Sequence, residues 1–315
     1  MNLKNYIPGT LLLTMIASFS LYLASLHASF DALVISILVG MVIGNITGRR
    51  DSLNYGMDFG TKVLLPVGIA LYGMQLSVST IRPGLVFSIF LVFSALFAGT
   101  LLLSRVFSLR SNLSLLLASG LSICGASAIA IISPLIGAKR EDTSISILSV
   151  MMLGLLGMIF YPLMYDFFPL SKDEFNFFAG TTLPMIGQVR VAAANVCPEC
   201  LGSALQIKLI RVAFLLFVVP LVAFRAGGSG SKIKMPWFAV MFLVLAILVN
   251  TVPVLRQWQE ISRTVSTFCF AAGLAAIGFS VDFDAIVEEG MTPLGIVFGV
   301  WAVVLIVIYL LRTVI

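Results

Sequence analysis

Charge is what this sequence has least of. Only 10% of its 315 residues are Asp, Glu, Lys or Arg, where a soluble domain carries about a quarter. A chain so poor in charge cannot coat itself with solvated side chains, which excludes an ordinary soluble enzyme. There is one histidine, His27, and there are four cysteines, too few for a Cys/His metal framework. No GxxxxGK[ST] run, Rossmann glycine fingerprint, zincin motif or nucleophile elbow occurs, so no enzyme activity or cofactor is expected. The longest polar breaks are short, about ten to fifteen residues, which leaves no room for an attached ATP-binding domain.

What is present is apolar surface. Hydrophobic residues make up 60% of the chain and the mean hydropathy is +1.10. Long apolar runs favour membrane-spanning helices over the short alternating strands of a barrel. Candidate spans fall near 8–26, 31–47, 60–77, 84–104, 112–136, 143–164, 178–196, 204–224, 236–254, 265–281 and 290–311. The expected fold is therefore an all-α polytopic membrane protein of ten or eleven transmembrane helices, forming one transmembrane transporter domain over 1–315. The uncertainty in the count rests on 178–196. With Pro184, Gln188 and Arg190 it reads as a full crossing or as a re-entrant or broken element. The first apolar run follows a short charged start, like a signal sequence, and is read as a retained first helix because further spans follow.

The formal charge of +5 is better read as loop charge that orients a membrane protein than as a nucleic-acid surface. With eleven crossings the cations divide ten to eight in favour of the N-terminal side, and twelve to six if 178–196 returns to its own side. Both tallies place the N-terminus in the cytoplasm. A faint internal repeat accompanies this pattern. Residues 68–81, GIALYGMQLSVSTI, match 273–286, GLAAIGFSVDFDAI, at Gly68/Gly273, Ala70/Ala275, Gly73/Gly278 and Ile81/Ile286. Such similarity between segments is what inverted-topology repeats leave behind.

The stretch from Ala118 to Asp142, ASGLSICGASAIAIISPLIGAKRED, is apolar yet poor in large side chains. Small residues admit close helix approach, and glycine with Pro134 suggests a discontinuous helix whose half-helix ends face a ligand. Ser122, Gly125 and Ser127 are its candidate binding groups, with interhelical packing as the alternative role. In GTTLPMIGQVRVAAANV, from Gly180 to Val196, Arg190 is the candidate anion contact and Gln188 a further donor. Lys139 to Asp142 read as a solvated loop. Asp282 is the candidate for coupling a proton or sodium ion, against an interfacial acidic role shared with Asp284, Glu288 and Glu289. Cys197 and Cys200, in CPEC, have spacing compatible with a disulfide, a redox pair or half a metal site.

The run LLASGLSICGASAIAIISPLIGAKRED from Leu116 resembles the signature region of the YeiH-type bacterial membrane proteins, a family often labelled as sulfate exporters. VGIALYGMQLSVSTI, GQVRVAAA and AAIGFSVDFDAIVEEGMTPL are similar to that family in the same order, from about residue 30 onward. The resemblance extends to cation/proton antiporters and bile-acid-symporter-like carriers, and it implies inverted repeats with crossed discontinuous helices. Ser122–Pro134 would be the first broken segment, and Thr182–Ala193 or Gly273–Asp282 the second. The function so implied is secondary transport, with export as one direction, of a small inorganic or organic anion by alternating access in a bacterial inner membrane. The partners would be the anion, the lipid bilayer, a coupling proton or sodium and a second copy of the chain. The alternatives are a sodium- or proton-coupled carrier of another solute and a non-transporting membrane sensor.

Overall fold

The computed structural model describes residues 6–26, 32–48, 51–75, 83–227, 237–280 and 291–311. Their regular structure is helical, with no strand among the described residues. In chain order the helices are α1 (Ile7–Leu26), α2 (Ala32–Thr47), α3 (Asp51–Phe59), α4 (Leu65–Tyr72), α5 (Pro83–Val106), α6 (Ser111–Ser122), α7 (Ala126–Leu135) and α8 (Arg140–Phe167). There follow α9 (Lys172–Thr182), α10 (Ile186–Val196), α11 (Pro198–Ala213), α12 (Leu215–Gly227), α13 (Trp237–Thr251), α14 (Gln259–Phe279) and α15 (Thr292–Leu311). Among the described residues six helical stretches are long and apolar enough to cross a bilayer: Ile7–Leu26, Pro83–Val106, Glu141–Phe167, Glu199–Val222, Pro253–Phe279 and Thr292–Leu311. The chain is an all-helical membrane protein. Within the one domain expected over 1–315 it forms two compact units, residues 1–80 with 234–282 and residues 81–233 with 283–315.

The first unit is held by backbone-to-backbone approach at glycines. A Cβ on Gly40 would lie 2.2 Å from the Ala275 carbonyl oxygen, one on Gly44 2.3 Å from that of Phe279, and one on Gly278 2.2 Å from that of Ile37. These contacts zip α2 along α14 in parallel. Gly9 and Gly56 do the same for α1 and α3. In a bilayer, where lipid tails are as apolar as leucine, such close packing supplies much of the attraction between helices. The first repeat-like segment, as far as it is described, packs on the part of α14 that precedes the second, while Gly273 meets Leu65. Ser266 donates to the Gly68 carbonyl at 2.8 Å and Ser262 to that of Leu71 at 2.9 Å. Gln75 and Gln259 exchange side-chain-to-backbone bonds, the former to Gln259 O and the latter to Met74 O. Rising numbers on α4 meet falling numbers on α14, so the segments are antiparallel. Asp282 and Asp284 lie outside the described residues.

The second unit is organised around α8. Arg110, just before α6, reaches the Asp142 carboxylate at 3.0 Å, and Asp142 stands in the first turn of α8. Helix α7 leads through a short loop to that same turn, where Ser133 and Thr143 share a hydrogen bond of 2.6 Å. Both ends of the α6–α7 segment therefore lie at one end of α8. The segment folds back on itself, with Ile129 packed over Gly120. The α9–α10 segment repeats this from the other end. Lys172 at the start of α9 pairs with Glu199 at the start of α11, and Gly180 abuts Ala204 and Ile207. Helix α9 thus runs parallel to α11, and α10 must run back to deliver the chain to Pro198. At its far end α8 is packed on α9 by Tyr165 against Phe175 and on α15 by Phe168 against Tyr309.

Both discontinuous segments are consequently hairpins, entering from opposite ends of α8. Segment 178–196 takes the re-entrant option that the sequence left open. Segment 112–136 returns as well, so the crossed broken helices implied by the resemblance are replaced here by chain reversal at each break. The reversals have local causes. Gly125 has φ +68° and ψ −133°, a conformation essentially reserved for glycine. At the other turn Pro184 has no N–H to continue α9, and it drives Leu183 into the extended region, φ −64° and ψ 131°. Lys139 to Asp142 are only partly a solvated loop, because Asp142 is 3% exposed and clasps the hairpin mouth.

Two outcomes are expected. In a background without the native cysteines, single cysteines at Ser111 and Lys139 will react with an impermeant maleimide from one face of the membrane, and those at Asp173 and Asn195 from the other. A member of either pair labelled from the opposite face would restore full crossings. Gly278→Leu should lower the melting midpoint in detergent, at a cost of about 1–3 kcal/mol for forcing a side chain into a filled contact. Gly202→Ala, which meets nothing within 4 Å, should not.

Candidate functional site

The tips of the two hairpins meet. A Cβ on Gly125 would lie 2.6 Å from the Met185 side chain and 3.4 Å from Cβ of Pro184. At such a junction four half-helices end inside the protein: α6 and α9 with carbonyl groups outward, α7 and α10 with N–H groups outward. Each end leaves up to four backbone groups without an intrahelical partner, and buried groups of that kind must be satisfied.

The carbonyl ends are satisfied by two cations of α11. Lys208 and Arg211 are both 0% exposed and stand three residues apart, on one face of the helix. The Lys208 ammonium donates to Ile123 O at 2.7 Å and to Leu183 O at 2.8 Å, one carbonyl from each hairpin. Arg211 donates through Nη1 to Thr181 O at 2.6 Å and Leu183 O at 3.0 Å. Its Nε and Nη2 donate to Ser122 O and Leu121 O. With Ser119 O taken by Ile123 N and Gly120 O by Gly125 N, the last carbonyls of α6 are all occupied. The guanidinium fork is suited to this task, offering five donors in a fixed plane. The ion pairs of the described residues join Lys62 to Asp58, Arg110 to Glu141 and Asp142, Lys172 to Glu199, and Arg263 to Glu260. None of them includes Lys208 or Arg211.

The opposite ends face the same junction. Helical geometry leaves the first N–H groups of α7, at Ala126 and Ser127, and of α10, at Ile186 and Gly187, without intrahelical acceptors, and it gives these ends partial positive charge. Ser127 Oγ donates to Cys124 O at 3.1 Å. Gln188 Oε1 accepts the Met185 N–H at 2.9 Å and caps α10. Behind the second tip, the Tyr161 and Thr182 hydroxyls bond to each other, and Tyr161 rests edge-on against Trp301 and Phe175.

Of the residues singled out in the sequence, Ser122, Gly125, Ser127 and Gln188 come together here. The hydroxyl of Ser122 is engaged within its own helix, with Ala118 O at 2.6 Å, and its carbonyl is the group that Arg211 holds. Arg190 does not join them. It is exposed, since two residues beyond Gln188 turn it roughly 200° around α10. The cations at the junction are Lys208 and Arg211. The signal for them was two positive charges three apart in the apolar run from 204, a pattern that is costly at membrane depth unless partnered. At the outer end of the second hairpin Cys197 and Cys200 form a disulfide, with Cα atoms 5.3 Å apart. Elsewhere in this unit an apolar groove of about 1090 Å³ lies between α5 and α15, lined by residues such as Leu91, Gly99, Val300 and Val307. Its lining side chains are apolar apart from Ser88.

Removing the donors grades the site. Arg211→Met strips hydrogen bonds from four carbonyls and should cost about 3 kcal/mol or more, given roughly 1–3 kcal/mol for each buried group left unpaired. Lys208→Met, which leaves Ile123 O without a donor while Arg211 still holds Leu183 O, should cost less, and Arg190→Ala least. Melting midpoints in detergent measure the order, and an Arg190→Ala loss equal to that of Arg211→Met would contradict it.

Comparison with known proteins agrees with this architecture of apolar helices. The chain matches the family described as Conserved hypothetical protein 698 over residues 8–297. It is 31% identical to the UPF0324 inner membrane protein YeiH of Escherichia coli K12, over 96% of this chain and 93% of the relative. It is 33% identical to a UPF0324 membrane protein of Archaeoglobus fulgidus, over 93% of this chain and 89% of the relative. A UPF0324 membrane protein of Bordetella pertussis is 30% identical, over 95% of this chain and 93% of the relative. No solved structure matches. A match across nearly the whole chain is membership: this membrane protein belongs to the UPF0324 family of YeiH.

Proposed function

We propose that the chain is a secondary transporter of a small anion, with the site at the paired hairpin tips. The observation that carries this reading is the charge at the junction. Two buried cations have no carboxylate partner among the described ion pairs, and two helix N-termini add positive potential. The α6 and α9 carbonyls offset part of that charge. An anion is the ligand that offsets the rest.

Two hairpins entering from opposite ends of one helix form an inverted pair, and alternating access would expose their common tip to each face in turn. Each hairpin accounts for an apolar segment without a crossing, at 112–136 and 178–196. The described cations at helix ends of this unit favour one face. Arg105, Arg110, Lys139, Arg140 and Arg225 lie at the end where the first hairpin opens, and Lys172 lies at the other. On the positive-inside rule the first hairpin opens to the cytoplasm and the disulfide faces outward.

Proteoliposome flux with sulfate, sulfite, sulfonates, carboxylates and halides tests the reading. Saturable, anion-dependent flux is expected. Lys208→Gln should reduce kcat/KM by about tenfold or more, equivalent to about 1.4 kcal/mol, while Arg190→Ala should leave it within about twofold. Flux of cations or neutral solutes with no anion carried would reverse the conclusion.

A further inference from the structure

The disulfide at the mouth of the second hairpin ties little together. Cys197 and Cys200 are three positions apart, at the first turn of α11. A cross-link restricts the unfolded chain more the longer the loop it closes, so one this short restricts it least. The mouth already has its clasp in Lys172 and Glu199. The helix also starts without help from the bond. Pro198, its first residue, has no N–H to leave unpaired, and the Cys197 carbonyl accepts the Cys200 N–H at 3.2 Å. As a brace the disulfide adds little.

Its two sulfurs stand in unequal places. Cys197 is the N-cap of α11 and partly exposed, whereas Cys200 is 1% exposed. The Cys197 sulfur accepts the Cys200 N–H at 3.1 Å, and it lies at the positive end of a 16-residue helix. Both influences favour a thiolate at Cys197 once the bond is opened. The carboxylate of the same turn, Glu199, is paired with Lys172, which offsets its opposing charge. Thiol–disulfide exchange asks for one sulfur that can be reached and can leave as a thiolate, and a second held close to it.

A group on α9 completes the arrangement. Asn176 is 4% exposed, and its Oδ1 is buried without a hydrogen-bond partner. A Cβ on Gly180 would lie 2.8 Å from Ala204 O. Asn176 and Cys200 stand one turn before those two residues on the parallel helices, each on the same face, so Asn176 is directed at the Cys200 turn. A disulfide sulfur has no hydrogen for that oxygen, whereas a Cys200 thiol has one.

We propose that Cys197 and Cys200 form a thiol–disulfide exchange site for a dithiol, with Cys197 the exchanging sulfur, Cys200 the resolving sulfur and Asn176 a positioning group for the Cys200 thiol. A thiolate of the dithiol attacks Cys197 Sγ, forming a mixed disulfide and expelling the Cys200 sulfur, which takes a proton. The second thiolate of the dithiol then attacks its own partner's sulfur, closing the dithiol to a disulfide and releasing Cys197 as a thiolate at the helix end. Two electrons pass to the pair. Of the two protons of the dithiol, one goes to Cys200 and the other to water. The site stands independently of the anion-carrier reading.

Full-length protein in detergent supplies the test, with dithiothreitol as the dithiol and adducts located by mass spectrometry. Dithiothreitol should reduce the pair in the folded protein at a rate within about tenfold of that in denaturant. Reduction should lower the melting midpoint by less than about 4 °C. With glutathione disulfide as the probe, Cys200→Ser should take up glutathione at Cys197 at least about tenfold faster than Cys197→Ser does at Cys200. Asn176→Leu should raise the ratio of reduced to oxidised dithiothreitol at half reduction by about threefold or more, because the reduced pair loses an acceptor. Reduction only after unfolding would overturn the proposal, as would equal uptake at the two cysteines. An unchanged half-reduction ratio in Asn176→Leu would strike Asn176 from it. The wild-type rate needs no variant, so it decides even where a serine variant does not fold.

Discussion

Breaking a helix inside an apolar protein exposes carbonyl groups where no water can reach them, and the second unit of this protein does so twice in one place. The hydrogen bonds from Lys208 and Arg211 to Leu121, Ser122, Ile123, Thr181 and Leu183 make that arrangement tenable. Without donors those carbonyls would favour restoring continuous helices, and the tips would have no reason to meet. The demand also runs the other way, since a lysine and an arginine with no exposed surface need acceptors of their own. Helix ends carry partial negative charge along with their lone pairs, which makes them fitting partners for cations at membrane depth.

The two units solve the problem of helix association differently. The first removes side chains: Gly40, Gly44 and Gly278 bring α2 and α14 together until backbone touches backbone. The second uses polar clasps. Its hairpin mouths are closed by Arg110 with Asp142 and by Lys172 with Glu199, and its tips by the α11 cations. In the first unit close glycine packing is joined by side-chain-to-backbone bonds from Ser262, Ser266, Gln75 and Gln259. Polar clasps can be exchanged for bonds to water or to a solute, as the proposed carrier would require of the hairpin unit.

Much of this was legible in the residues. Hydropathy gave the membrane class, and the small-residue stretch around Gly125 located the first break. The prolines and amides of 180–196 marked a segment that need not cross. Reversal at each break was not legible, because a broken helix and a hairpin share one pattern of apolar residues around a glycine or proline. Only contacts between distant residues, such as Lys172 with Glu199, separate them. Arg190 was conspicuous because its neighbours are small, yet its position on α10 turns it away from Gln188. Lys208 and Arg211 were harder to see. They stand near one end of an apolar run and could be counted as loop charge until the start of α11 was placed at Pro198.

Arg211 and Lys208 each serve both hairpins at once, and that has a mechanical meaning. Neither tip owns its fastener. Withdrawing the first hairpin strips α11 of some of its acceptors while the second hairpin still grips the same two side chains, and the reverse holds for the second. The pair behaves as an interlock: parting one tip makes the other the sole remaining anchor, and parting both would strand two charges in the interior. In the proposed carrier such a barrier would resist opening to both faces together, through the sharing of donors and with no separate gate.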